Sequence, residues 1–335
     1  MPVTSLGDMS QHFSAARQTG VIKSDLADLA KSLSTRQVTD VTAALGGETT
    51  RLSGINHSLA QLDGYGQAGT ETAQMLTGMQ NILSQIDQIR GDSANNLLLV
   101  TQESSPAQVD EAGRAAADAF ADMVRGINTR VADRALMGGA AVDTAPLANA
   151  DAMFADLQTA IGGVTDAATI IGAVDTWFDD PAGGFATMGY QGDDGAPLSR
   201  RISENKTVTL DARADDPAIR DVLKAAALAA VADRATGIDQ DTKATLLRTA
   251  GEQLFTSASG LVAVQSRLGY VEQQVDTGLA KNAAQKTALG IARNDLIQAD
   301  PFEIATRLQD VQLQLETHFS VTARLSRLSI LDFIR

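Results

Sequence analysis

Cysteine is absent from this 335-residue chain, which excludes disulfides, thiolate metal sites and cysteine nucleophiles. Aromatic residues make up only 4% of the chain, so alanine, leucine, valine and isoleucine have to fill the core, as is typical of long helices. Cations are also scarce, because 27 Lys and Arg face 41 Asp and Glu and leave a net charge of −14. That balance argues against binding to nucleic acid and against a polybasic membrane contact.

Long apolar runs are missing as well. No stretch approaches the roughly 18 uninterrupted apolar residues of a membrane-spanning helix, so we expect no membrane insertion. Residues 1–10 lack a basic start followed by a long apolar segment, and the sequence therefore predicts no cleaved signal peptide. The chain is expected either to stay in the cytoplasm or to leave the cell uncut.

Apolar residues recur in steps of three and four near both ends of the chain, a spacing that places one helical stripe against a partner helix. Near the start the stripe contains Ile22, Leu26, Leu29 and Leu33. Near the end it contains Ile304, Leu308, Val311, Leu315, Leu325 and Leu328. A second such stripe begins at Leu254 and continues through Leu261, Val264 and Leu268. The pattern predicts that the two ends of the chain join in one helical bundle.

The middle of the chain has a different composition. Glycine and proline accumulate in 181–197, and 207–212 alternates with the period of a half-buried strand. The fold class predicted is mainly α: an elongated, antiparallel, coiled-coil-like bundle formed by both termini, with a small α+β insert. The predicted divisions are an N-terminal assembly helix, the first half of a helical rod, a variable insert, a long return helix and a C-terminal assembly helix: 1–40, 41–138, 139–241, 242–299 and 300–335.

The sequence gives no support to a catalytic or metal-binding motif. The histidines, His12, His57 and His318, have no partner at the i,i+4 spacing of a helical zinc site. The pairs Asp179–Asp180 and Asp193–Asp194 lack the ligand spacing of a calcium loop and are interpreted as turns. Asp216 before Pro217 is interpreted as a helix N-cap. We therefore predict no enzyme activity, no cofactor and no metal.

Two segments carry a resemblance to a known family. Leu62–Asp63–Gly64–Tyr65, with Asp133–Arg134–Ala135–Leu136–Met137 further on, is similar to the N-terminal half of flagellin-family proteins. The run from Asp300–Pro301 through Ala305–Thr306–Arg307–Leu308 to Ala323–Arg324–Leu325 resembles their closing helix. The resemblance covers roughly 1–138 and 242–335 and is strongest to the hook-associated type 3 proteins, which form the hook–filament junction, of alphaproteobacteria.

The resemblance implies a structural subunit of the bacterial flagellum, located outside the cell and exported without a cleaved signal peptide. Its implied partners are further copies in a ring or tube, the hook-side junction protein, flagellin, the flagellar export apparatus and a chaperone. The ten apolar residues of the two terminal stripes are the predicted self-assembly interface: Ile22, Leu26, Leu29, Leu33, Ile304, Leu308, Val311, Leu315, Leu325 and Leu328.

Three other functions are compatible with parts of the sequence. A flagellin that forms the bulk filament is the closest, and the length of the chain does not decide between it and a junction protein. A cytoplasmic helical scaffold would also use heptads, but it predicts ordered ends in the isolated chain. An enzyme housed in the insert is the least favoured, because the sequence offers it no catalytic motif.

Overall fold

The computed structural model describes the backbone of residues 4–333 and the side chains of residue 10 and residues 13–324. Helices dominate this range and confirm the mainly α class. They are α1 (Thr4–Thr35), α2 (Val41–Ala44), α3 (Thr50–Leu98), α4 (Pro106–Ile127), α5 (Ala150–Ile161), α6 (Ala167–Asp179), α7 (Pro217–Arg234), α8 (Gln240–Ile297) and α9 (Pro301–Phe333).

The strands are short and form two antiparallel hairpins, β1 (Arg130–Val131) with β2 (Arg134–Ala135) and β3 (Leu198–Ser203) with β4 (Lys206–Leu210). The second hairpin contains the strand that the alternation in 207–212 predicts. One π-helical turn, Phe185–Gly189, follows α6. The first hairpin turns through Ala132 and Asp133, which both have positive φ angles, 49° and 60°.

The chain divides into two compact units. The terminal unit consists of Met1–Asp63 and Ala284–Arg335, and the central unit is Gly64–Ala283. Helices α3 and α8 each cross the boundary, so one part of each helix belongs to the terminal unit and the other part to the central unit. The boundaries of the five predicted divisions remain a prediction.

Helices α3 and α8 pack antiparallel to each other in the central unit. Along this seam, residue numbers rise on α3 while they fall on α8. Gly69 lies against the Leu279 side chain, Gln80 Nε2 donates to the Gln265 carbonyl at 3.0 Å, and an Arg90 guanidinium nitrogen donates to the Leu254 carbonyl at 2.9 Å. Fully buried leucines fill the space between the helices: Leu76, Leu83, Leu254, Leu261 and Leu268.

Helices α4 and α7 complete this bundle. Gly113 of α4 faces the backbone of Asp233 in α7, where a Cβ atom would lie 3.4 Å from the Asp233 Cα. The apolar face of α7 is largely alanine, and residues 225–232 are all buried. Small side chains allow close approach of the helix axes, so α7 belongs to the bundle although it lies within the range predicted as the insert.

The aromatic residues gather around α5, α6 and the π-helical turn. Trp177 Nε1 donates to Asp156 Oδ2 at 2.7 Å, and the Phe178 ring meets the Trp177 ring edge-on at 4.7 Å between centroids. Phe185 stacks on Phe178 at 5.4 Å. Gly184 lies directly against the indole ring, where no side chain would fit. This cluster gives the middle of the chain a small core of its own.

The β3–β4 hairpin packs on the helices α3 and α8. Asn282 of α8, itself buried, donates through Nδ2 to the Ile202 carbonyl at 2.8 Å. The buried Ile202 side chain covers Gly278, and the Arg201 guanidinium lies 5.6 Å from the centre of the Tyr65 ring. A buried amide bonded to the backbone fixes the register of the hairpin on α8, because an unpaired amide there would be costly.

Asp216 is the N-cap of α7, as the sequence predicts, and it also binds an arginine of α8. Its Oδ1 accepts from the Ala218 amide at 3.0 Å, and its Oδ2 accepts from Arg267 of α8 at 2.5 Å. We expect Asp216→Ala to lower the free energy of unfolding by about 2 kcal/mol, because both the cap and a charged hydrogen bond are lost. Asp216→Asn, which keeps a capping oxygen, should lose clearly less in urea denaturation. Equal losses in both variants would contradict the capping role.

Candidate assembly surfaces

Backbone hydrogen bonds join the segment that follows α1 to the segment that precedes α9. The Val38 amide donates to the Ile297 carbonyl at 3.0 Å, and the Ala299 amide donates to the Arg36 carbonyl at 3.1 Å. Asp300 Oδ1 then accepts from the Phe302 amide at 2.8 Å at the start of α9, where Asp before Pro is a typical helix-start signal. These bonds fix where α1 ends relative to where α9 begins.

Helices α1 and α9 pack against each other within one chain. His318 Nε2 lies 3.1 Å from the Ala15 carbonyl, so the first and last helices meet over residues some 300 positions apart. The side chain of His12 lies outside the described residues. The sequence-based expectation that the two ends of the chain pair is confirmed for residues 13–324.

Burial follows the two predicted stripes along this pair. Ile22 and Ile304 are buried, and the other members with described side chains are half-buried apart from Leu33, which is 39% exposed. Their positions place Leu26, Leu29, Leu308, Val311 and Leu315 along the intramolecular seam. The side chains of Leu325 and Leu328 lie outside the described residues. A role of these residues in contacts between copies remains a prediction.

A second apolar face exists on α9, away from the seam. Phe302 is 82% exposed, Leu313 64% and Val321 49%. At about 100° per residue these three positions fall within an arc of roughly 100°, on the side of the helix opposite the seam residues. The heptad pattern did not reveal this face, although the spacing of 11 residues between Phe302 and Leu313, three helical turns, is a signal for it. We call these three residues the outer face of α9.

Helix α8 has a comparable exposed stripe within the central unit. Phe255, Val262 and Tyr270 are between 52% and 64% exposed and follow each other at seven and eight residues. They lie on the side of α8 opposite the buried Leu261 and Leu268. Large apolar side chains in such a row are typical of a surface that another protein covers.

The acidic pairs have structural partners. Asp180 Oδ1 accepts from the Ala182 amide at 2.8 Å, and Asp193 Oδ1 accepts from the Gly195 amide at 3.0 Å, as expected of turns. Lys243 donates to Asp110 at 2.8 Å and this hydrogen bond holds the pKa of the carboxyl below its ordinary value. Among the described residues no group of three His, Cys, Asp or Glu side chains is arranged to hold a metal ion.

No helix in the described part of the chain combines the length and the apolar character needed to cross a bilayer. The clearest features that the structure offers to other molecules are thus surfaces of long helices. Contacts between helices from different molecules are the interaction for which such surfaces are suited.

Comparison with known proteins identifies the C-terminal part of the chain. Residues 254–334 match the family model described as the bacterial flagellin C-terminal helical region. This match confirms the resemblance seen in the closing helix. No curated protein matches the chain in sequence.

Two solved structures match about three quarters of the chain. One is described as a flagellar hook-associated protein from Vibrio parahaemolyticus; it has 9% sequence identity and a TM-score of 0.50, and the match covers 73% of this chain and 95% of that one. The other is FlgL of Bacillus cereus, with 14% identity, a TM-score of 0.40 and coverage of 74% and 97%. At this identity the Vibrio structure supports the fold, namely a mainly helical chain with a small insert.

Proposed function

Because residues 254–334 match the model of the bacterial flagellin C-terminal helical region, we propose that this chain is a structural subunit of the bacterial flagellum that joins hook to filament. The family match is the observation that carries the proposal. The Vibrio structure of similar fold supports the proposal through its description as a flagellar hook-associated protein. The subunit acts by contacts between helices and performs no catalysis.

The proposed partners follow from this role. Copies of the chain associate in a ring or tube and contact the hook-side junction protein on one side and flagellin on the other. The chain is located outside the cell and reaches that place through the flagellar export apparatus, with the help of a chaperone and without cleavage of a signal peptide. The absence of cysteine suits such a chain, because it threads and folds without disulfide chemistry.

The exposed apolar faces support assembly. Outer-face residues of α9 and the row Phe255, Val262 and Tyr270 of α8 leave large side chains in water in the isolated chain. Covering one such side chain contributes roughly 1.5–3 kcal/mol. Several such apolar side chains together favour association between copies. The stripes along the α1–α9 seam stabilise the helix pair of each subunit that takes part in this association.

A flagellin of the bulk filament is the second candidate, because the family that matches residues 254–334 is that of flagellin itself. The two candidates share the helical bundle and differ in where the protein lies along the appendage. A cytoplasmic scaffold would share the helices and would be found on no appendage at all.

Immunogold electron microscopy of cells separates these functions. The antibody is raised against residues 139–241, and a strain that lacks the gene serves as the control. We expect gold in a narrow band between hook and filament. Gold along the whole filament would instead indicate a flagellin, and labelling confined to the cytoplasm would contradict both flagellar roles.

A further inference from the structure

One end of the central unit carries basic side chains without ion pairs. Within the described residues, Arg200 and Lys206 of the β3–β4 hairpin and Lys281 of α8 form no salt bridge. Arg201 uses its guanidinium on the Tyr65 ring and on the backbone carbonyls of Ser203 and Glu204. The turn of the hairpin adds one exposed carboxylate, that of Glu204. We call this set of four cations the basic hairpin surface.

An acidic groove lies between α3 and α4 of the same unit. Its rim carries Asp92, Asp118 and Asp122, and its walls include mainly small side chains. Asp122 pairs with Arg125, whereas Asp92 and Asp118 have no ion pair among the described residues. The carboxylates at the rim of the groove favour a cationic occupant.

The two surfaces are too far apart to satisfy each other within one chain. The hairpin rests on Tyr65, and Asp92 follows 27 residues later on the same continuous helix α3. At about 1.5 Å per residue these positions are roughly 40 Å apart. Charges in solution are screened over about 8 Å at physiological salt, so the complementary surfaces attract only when they belong to different molecules.

We propose that the β3–β4 hairpin of one copy docks in the acidic groove of the next copy. The proposal rests on the proposed structural function and names one contact that serves it. Since the two surfaces differ, the contact is head-to-tail, and repetition of it leads to a closed ring or a helical tube. The net charge of −14 makes copies repel each other, and a local contact of opposite charges lowers this repulsion.

Charge reversal in cells tests the contact with the full-length chain. Asp92→Lys with Asp118→Lys, or Arg200→Glu with Lys206→Glu, should each reduce the protein in purified appendages by about tenfold, because like charges then face each other. All four changes in one chain should restore incorporation to within about twofold of the original, because the attraction returns with its sign exchanged. Quantitative immunoblots of appendages and of the culture medium measure incorporation and export separately.

A matched control excludes a general effect of charge. Asp143→Lys with Asp194→Lys makes the same change of four charge units on exposed loops outside both surfaces and should leave incorporation unchanged. The melting temperature, measured by circular dichroism, has to be equal for all variants. Incorporation at the original level after either double reversal would overturn the docking contact while leaving the flagellar role intact.

Cysteine cross-linking tests the same contact by distance. The chain has no cysteine of its own, so Thr207→Cys on the hairpin and Ala115→Cys in the groove are the sole thiols. We expect a ladder of disulfide-linked copies in appendages that carry both changes in one chain, and no ladder with either alone. The absence of a ladder in assembled appendages overturns the contact. Absence of the protein from every appendage overturns the flagellar role as well.

Discussion

Replacing the outer face of α9, with Phe302, Leu313 and Val321 all changed to serine, is expected to remove the chain from assembled appendages. These side chains are between 49% and 82% exposed in the isolated chain, so serine costs little in folding. In an assembly each one would contribute roughly 1.5–3 kcal/mol on burial. Loss of all three should lower incorporation by at least about 100-fold, since every 1.4 kcal/mol is a factor of ten.

Changes in the seam between α1 and α9 provide the matched control. Leu308→Ala with Leu315→Ala removes half-buried side chains from within one subunit. We expect these changes to lower the melting temperature of the helix pair, whereas the three serine changes on the outer face leave it unaltered. Quantitative immunoblots of appendages, together with circular dichroism of the purified chain, measure the two effects. Normal incorporation of the triple serine variant would show that the outer face is not an interface.

Gly184→Ala is expected to cause the largest loss of stability from a single methyl group. A Cβ at this position would overlap the indole ring of Trp177, which is fixed by its bond to Asp156 and by contact with Phe178. The ring is buried and held by these contacts, so we expect the free energy of unfolding of this region to fall by about 3 kcal/mol when it is displaced. Quenching of the single tryptophan by iodide during urea unfolding measures the effect, since a displaced indole is more accessible.

Gly172→Ala is the control for Gly184→Ala. Gly172 lies in α6, the same helix as Trp177, and a Cβ there would meet no atom within 4 Å. Alanine is the better helix former by about 1 kcal/mol, so this variant should be slightly more stable than the original. If Gly184→Ala proved as stable as Gly172→Ala, the packing of the Trp177 cluster described above would be wrong.

The sequence predicts most helices of this fold because their ends have local signals. Ser105 before Pro106 starts α4, where the Ser105 amide donates to Gln108 Oε1 at 2.9 Å, and Asp216 starts α7. Asp300 before Pro301 starts α9 in the same way. Such signals involve residues two to four positions apart, and they are visible in the sequence without any knowledge of the fold.

Partners of the helices were harder to predict. An apolar stripe shows that a helix buries one face, but not which element covers it, so the packing of α7 on α4 was not visible in the sequence. The outer face of α9 was missed because its three apolar residues do not follow the heptad. The turn at Ala132 and Asp133 could not be predicted either, because neither residue is glycine although both φ angles are positive.

The pairing of α1 with α9 also dictates an order of events when the chain folds. His318 meets the carbonyl of Ala15 across 303 positions of sequence, so almost the whole chain has to be available before this pair can form. A chain delivered with its N-terminus first would carry α1 without its partner until the last segment arrives. The central unit, whose α4 and α7 lie wholly between these ends, is able to fold earlier. The terminal unit is therefore the last part of the molecule to mature, and assembly that depends on it waits for synthesis or delivery to finish.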